Sequence, residues 1–384
     1  RVNLATNEIF QVTRLLADSV RLFATAIPLA LITGWPYPLS IAVIGVLTLV
    51  YTYFGGIRAV VWVDVVQMIL YVGGAAVAMV VLQTLIPGGW GAALSQASAE
   101  GKLTWLSFST DLTVTYTFWA GLIGGGFLSM ASHGTDQLIV QRLLTCRDLR
   151  SAQAALVGSG IAVIGQFLLF LLVGIGLWAY YQGAEWAQSD AIFATFIIEA
   201  LPSGVTGLLI AGVFAAAMSS LSSSINALAS ASAYDFWAPM AKREGDEFAL
   251  LRAGRTFTLI WAILLVGAAI LYIPMSEDAA AVEVALTIAS LVYGGLLGAF
   301  FLGIMDRGAN QVGVIAGMAT GITTVSTLWI VSTFVLERVI LGWPWFVLLG
   351  TLVTMGVGAG VSRISRGSSP GDAKRPVPGG SGGG

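Results

Sequence analysis

Long apolar runs, broken by short polar ones, occupy most of this chain. Half-buried strands alternate apolar and polar residues, whereas a helix that crosses a bilayer needs about 20 apolar residues in succession. The runs are of the second kind. In lipid every backbone polar group must be satisfied internally, so unbroken runs mean helices rather than a barrel. The pattern predicts ten spans, near residues 7–33, 37–54, 58–85, 113–145, 150–181, 203–235, 248–273, 280–304, 310–335 and 343–363. The second is short, set between Pro36 and Pro38 on one side and Gly55-Gly56 on the other. The fourth is too long and too polar for one straight helix. Segment 86–112, opened by Pro87-Gly88-Gly89, reads as a loop, and apolar segment 190–201 as an interfacial or loop helix too short to span.

Composition agrees with the pattern. Hydrophobic residues make up 57% and charged residues 10%, where a soluble domain carries about a quarter charged residues. The fold class expected is an all-α polytopic membrane protein. The net charge of −2 identifies no partner, and no basic cluster points to nucleic acid. A single cysteine, Cys146, excludes an internal disulfide or a cysteine-based metal site and reads as a residue at a helix end. Of the 18 lysines and arginines, 14 fall on one side of the predicted spans and two, Lys102 and Arg338, on the other; Arg14 and Arg21 lie inside the first span. Positive loops face the cytoplasm, so both termini are expected there, in a multi-pass protein of the cell membrane. Residues from Arg366 are rich in Gly, Pro and Ser, a composition that cannot bury a core. The expected division is a transmembrane domain over 1–363 and a disordered cytoplasmic tail over 364–384.

Polar groups at membrane depth are costly and point to function. Four places carry them. In the sixth span, Ala216, Ser219, Ser220 and Ser223 share one helical face, with Ser222 and Ser224 beside them. Hydroxyls are hard ligands for small hard cations; the plain reading is that such serines hold helices together. Asp64 lies six residues inside the third span from Arg58, to be matched by a cation, by water or by Arg58 itself. In the fourth span, Gly121, Gly124, Gly125 and Gly126 precede Ser129, Ser132, His133, Thr135, Asp136 and Gln137. The glycines weaken the helix, and interrupted helices at the midplane are where inverted-repeat transporters bind solute and ions. His133, the only histidine, serves either the pocket or packing. In the first span, Arg14, Asp18 and Arg21 occupy one face. Asp18 neutralises one arginine and leaves a surplus guanidinium, suited to a carboxylate. That carboxylate belongs either to the solute or to the protein, with Asp136 as the protein's candidate.

Three motifs in these regions resemble the sodium:solute symporter family, the sodium/glucose and sodium/proline cotransporter group. They are Gly55-Gly56 through Asp64 and Gln67, Asp136-Gln137 through Gln141-Arg142, and Met218-Ser219-Ser220-Leu221 through Asn226 and Asp235. The resemblance implies an inverted-repeat core of the leucine-transporter type, in which the spans present match core helices three to ten plus two more, the first two core helices being missing. It implies a principal sodium site at Ser219, Ser220 and the carbonyl of Ala216. It also implies a second sodium between Ser222, Ser223 and Asp64. Ser129, Ser132, His133 and Asp136 fall in the segment that lines the family's solute pocket, where sugar-transporting members place Asn and Tyr. Arg21 and Asp18 are further candidates for solute contact.

The function expected is sodium-coupled symport of a small organic solute, with sodium as coupling ion and no other cofactor. Proton coupling through Asp64 or Asp136, or a membrane sensor on the same fold, are the alternatives. An enzyme is not expected, since no nucleophile–base pair or metal cluster stands out.

Overall fold

A computed structural model describes residues 2–54, 58–136, 139–140, 143, 146–186, 188–243, 245–273 and 280–367. The helices are α1 (Val2–Thr33), α2 (Tyr37–Phe54), α3 (Arg58–Leu85), α4 (Gly89–Ala99), α5 (Gly125–Gly134), α6 (Leu149–Tyr180), α7 (Ala191–Glu199), α8 (Ser203–Ala231), α9 (Ala238–Ala241), α10 (Glu247–Tyr272), α11 (Ala281–Met305), α12 (Gln311–Ile330) and α13 (Phe346–Gly367). No strand occurs among the described residues. Seven of the described helices are long and apolar enough to cross a membrane. The 18-residue α2, the 29-residue α8 and the helical stretch 118–134 lie where the other three spans are predicted.

Helix starts follow local chemistry. Asp148 accepts the Ser151 amide at 2.7 Å, Asp246 accepts that of Ala249 at 3.0 Å, and Asn310 accepts that of Gly313 at 2.9 Å. Each supplies an acceptor that the first turn lacks. The Ser151 amide holds the Asp148 carboxyl below its ordinary value. Its stabilisation is therefore present above the unfolded-state pKa and lost as pH falls through the lowered one.

Two expectations are corrected. Segment 86–112 is not all loop, because α4 forms within it. Ala93 and Ala97, one turn apart, are 1% and 0% exposed. Trp90 donates its indole N–H to the Met79 carbonyl at 3.0 Å, which anchors that small-residue face. The break in the fourth span also lies elsewhere than expected. Its glycine run stays helical, Gly121 and Gly124 in a π turn, Ala120–Gly124, and Gly125 and Gly126 opening the α-helix that ends only after Gly134. One of these glycines serves close approach: a Cβ on Gly124 would lie 2.5 Å from the Pro344 carbonyl oxygen, whereas Gly121, Gly125 and Gly126 have open space there.

α8 occupies the centre of the N-terminal group. Its Leu221 packs with Val20, Phe23 and Ile27 of α1, Ile41 of α2 and Ala269 of α10. One turn on, Ile225 packs with Ala262 and Leu265 of α10, against Leu15 and Leu49. The C-terminal helices α11, α12 and α13 meet through small residues. A Cβ on Gly294 would lie 2.8 Å from the Val347 carbonyl oxygen and 2.9 Å from Gly350 Cα, and one on Gly317 would strike the Thr354 carbonyl oxygen. Backbone atoms cannot swing aside as side chains can. Gly294→Ala and Gly317→Ala are each expected to destabilise the fold by about 1–3 kcal/mol, the usual range for overpacking. Asn310→Ala is expected to cost about 1 kcal/mol for its cap, and thermal unfolding of the purified variants checks the ranking.

Candidate functional site

α3 and α8 pack against each other antiparallel. A Cβ on Gly74 would strike the Leu209 side chain, and one on Gly212 would lie 3.2 Å from Leu70 Cβ. Residue numbers thus fall along α3 as they rise along α8. Asp64 stands six residues before Leu70 and Met218 six after Gly212, each step about 9 Å along its helix. The shared register sets position 64 level with the start of the serine run. Ser222 and Ser224 in that run are 2% and 0% exposed, and Ser223 is half-buried. The side chains of Asp64, Ala216, Ser219 and Ser220 lie outside the described residues.

Gln67, one turn from Asp64, is buried, and its amide nitrogen has no hydrogen-bond partner. Leaving a buried donor unmet costs about 1–3 kcal/mol. Before the structure, Gln67 counted only as a motif residue. Its position one helical turn from Asp64, a carboxylate expected at membrane depth, was the signal that it shares that level of the helix.

On α1 the guanidinium of Arg21 donates from Nη1 to Asp18 Oδ1 at 3.1 Å. The two side chains differ sharply in exposure, 50% for Arg21 and 1% for Asp18. The carboxylate is sealed in protein while half of the arginine remains open. The Arg14 side chain lies outside the described residues.

At the end of α5, the polar residues divide. Ser129, Ser132 and His133 form a one-turn cluster, with His133 Nδ1 3.0 Å from the Ser129 carbonyl oxygen and 2.8 Å from Ser132 Oγ. These contacts are local to their own helix. Asp136, by contrast, is 3% exposed and accepts the Tyr293 hydroxyl of α11 at 2.9 Å. It sits where α5 has stopped, so the break is tied to another helix by a hydrogen bond. Gln137, Gln141 and Arg142 lie outside the described residues.

Tyr293 was not singled out from the sequence. A hydroxyl amid an apolar span beside Gly294-Gly295 was the available signal. Tyr71 and Gln166, paired at 3.0 Å between α3 and α6, were likewise missed. Each is a lone polar residue in an apolar run, and only the fold shows which one meets which.

The sodium:solute symporter family model matches residues 3–321. The chain belongs to the sodium:solute symporter family. This symporter-family chain is 32% identical over 331 residues to the sodium/sialic acid symporter NanT of Aliivibrio fischeri, covering 84% of itself and 63% of that relative. It is 30% identical to the sodium-dependent multivitamin transporter of Oryctolagus cuniculus, over 81% of itself and 49% of the relative. The human sodium-coupled monocarboxylate transporter 1 is 28% identical, over 86% and 54% respectively. The chain therefore spans about half to just under two thirds of these relatives' lengths. Among solved structures, a substrate-bound outward-open Na+-coupled sialic acid symporter matches with a TM-score of 0.77 at 23% identity, covering 95% of this chain and 74% of that one. The fold is the all-helical, leucine-transporter-type fold of that structure.

Tyr293→Phe removes one donor to Asp136 and keeps the ring. The loss of a hydrogen bond to a buried carboxyl is expected to cost about 1–3 kcal/mol. It should appear as a lower unfolding temperature and as faster proteolysis of the 135–146 region than in wild type.

Proposed function

We propose that this chain works in sodium-coupled symport of a small organic solute by alternating access, within the plasma membrane and with both termini cytoplasmic. The observation that carries this reading is the antiparallel packing of α3 on α8 in a member of the sodium:solute symporter family. It sets the Asp64 position level with the serine run. On this reading Ser219, Ser220 and the Ala216 carbonyl hold one sodium, and Ser222, Ser223 and Asp64 a second. All are hard oxygen donors, suited to a small hard cation. Each charge moved inward across 100 mV supplies about 2.3 kcal/mol, so sodium entry can drive solute against its gradient. The transmembrane domain continues through α13 to Gly367, past the boundary expected at 363, and the cytoplasmic tail follows it. No catalytic role is proposed.

Ser219→Ala and Ser220→Ala test the ion site in uptake assays on the full-length protein. Each should raise the sodium concentration for half-maximal uptake roughly tenfold, the equivalent of about 1.4 kcal/mol, while changing solute affinity at saturating sodium little. Wild-type sodium activation in both variants would mean that these serines only pack helices. Proton coupling instead of sodium would show as uptake driven by a pH gradient in sodium-free buffer.

We further propose a carboxylate solute, gripped by the open half of Arg21, with Asp18 orienting the guanidinium and Ser129, Ser132, His133 and Asp136 lining the same path. The named substrates of two relatives, sialic acid and monocarboxylates, support this class. Arg21→Gln is expected to abolish competition by carboxylates while neutral isosteres, weak in wild type, lose little. A lowered amount of folded protein with an unchanged ranking of competitors would make Arg21 structural.

A further inference from the structure

Where α8 ends, its chain passes through a π turn, Ser232–Trp237, and short α9 before α10 begins. A cavity of about 350 Å³ opens there, lined by Trp237, Arg243, Asp246, Arg252, Phe257 and Ile260 among others. Its chemistry changes with depth. Arg243, Asp246 and Arg252 belong to the start of α10 and the turn before it. Phe257 and Ile260 lie one to two turns further along the apolar Glu247–Tyr272 span. From Arg252 to Ile260 is eight residues, or about 12 Å of helix. Below them Ile263 and Leu264 are exposed, continuing the apolar face.

Among the described lining residues the charges at the rim are unbalanced; Glu244, beside Arg243, lies outside the described residues. Two guanidinium groups face one carboxylate, Asp246, which already caps α10 through the Ala249 amide and lies 3.4 Å from Arg243. Arg252 rests on the Phe248 ring at 4.7 Å, and among the described residues no carboxylate pairs with it. Of the other charged groups nearby, Arg255 turns to the Tyr53 ring of α2 at 5.4 Å, Lys242 is exposed and Glu247 stands in the first turn of α10. A soluble anion would find its charge matched at the rim but an apolar floor beneath. A neutral hydrocarbon would find the floor and waste the guanidiniums.

We propose that this cavity binds an anionic phospholipid, its phosphate held by Arg252 and Arg243 and one acyl chain lying along Phe257 and Ile260. A guanidinium matches the geometry of phosphate oxygens, and basic pockets between helices at the cytoplasmic interface suit anionic headgroups. The orientation proposed above decides only which leaflet supplies the lipid. Trp237, aromatic and at the boundary level, is placed as interfacial tryptophans are.

Native mass spectrometry of the full chain in detergent tests this without any transport step, so its outcome is separate from that of the symport reading. Phosphatidylglycerol and phosphatidylcholine with identical acyl chains are added in equal amounts. Wild type should retain phosphatidylglycerol preferentially. The Arg243→Gln/Arg252→Gln variant should lose that preference about tenfold, as expected for removal of charge-assisted hydrogen bonds. Ile260→Ser should weaken retention of both lipids. Equal retention of the two lipids by wild type, or an undiminished preference in the double variant, overturns the proposal. So does complete displacement by glycerol phosphate, which would mark a site for soluble anions. If the double variant does not fold, Arg252→Lys decides: it keeps the charge but not the fork, so a reduced preference supports the site and an unchanged one refutes it.

Discussion

The polar stretch of α8 depends on how that helix is held: Ser222 and Ser224 are 2% and 0% exposed, enclosed by protein rather than turned to lipid. Two faces of the same helix make that work. Leu221, Ile225 and Leu228, at i, i+4 and i+7, are 1%, 3% and 0% exposed. The first two lock α8 against α1, α2 and α10. The hydroxyl-bearing residues lie between and beside these, and α3 packs on the same helix about two turns before them, with Gly74 and Gly212 at the contact. Apolar burial on one stripe thus fixes where the polar stripe is presented.

The C-terminal helices solve a different problem. Between apolar helices in lipid there is little hydrophobic gain, and association depends on close van der Waals approach. Gly294, Gly317, Gly350 and Gly358 allow that approach on α11, α12 and α13. The resulting frame also receives α5. Ala131 is fully buried with Leu297 and Val347, and Gly124 meets the turn before α13. A helix that stops at Gly134 would otherwise expose its last carbonyls. Thr135 returns its amide and its hydroxyl to the Ala131 carbonyl, at 2.9 and 2.7 Å, and Tyr293 reaches Asp136 just beyond. The interruption is therefore held by its neighbours.

Arginine is used in two ways at two depths. Inside α1, Arg21 is oriented by a carboxylate that is itself buried, which leaves a positive group half open. A buried charge without compensation costs several kcal/mol, and Asp18 keeps that cost down while preserving the exposed side. At the start of α10, Arg252 and Arg255 lie on aromatic rings instead. There the aromatic face shares part of the charge.

The sequence alone determined the class, the family resemblance and the positions of the long helices, because run length and hydropathy are local properties. It also placed hydroxyls and carboxylates at membrane depth, since a rise of 1.5 Å per residue needs no knowledge of neighbours. It misjudged segment 86–112, where small residues and a turn signal conceal a helix whose stability comes from Trp90 and the surfaces it meets. It put the weak point of the fourth span at its glycines, although Gly124 answers the approach of Pro344 and the helix breaks only after Gly134. Tyr293 against Asp136 is a contact 157 residues apart in the chain, and Leu70 meets Gly212 across a similar distance. Such pairings depend on which helices lie side by side and in which register, and no periodicity within one segment encodes that.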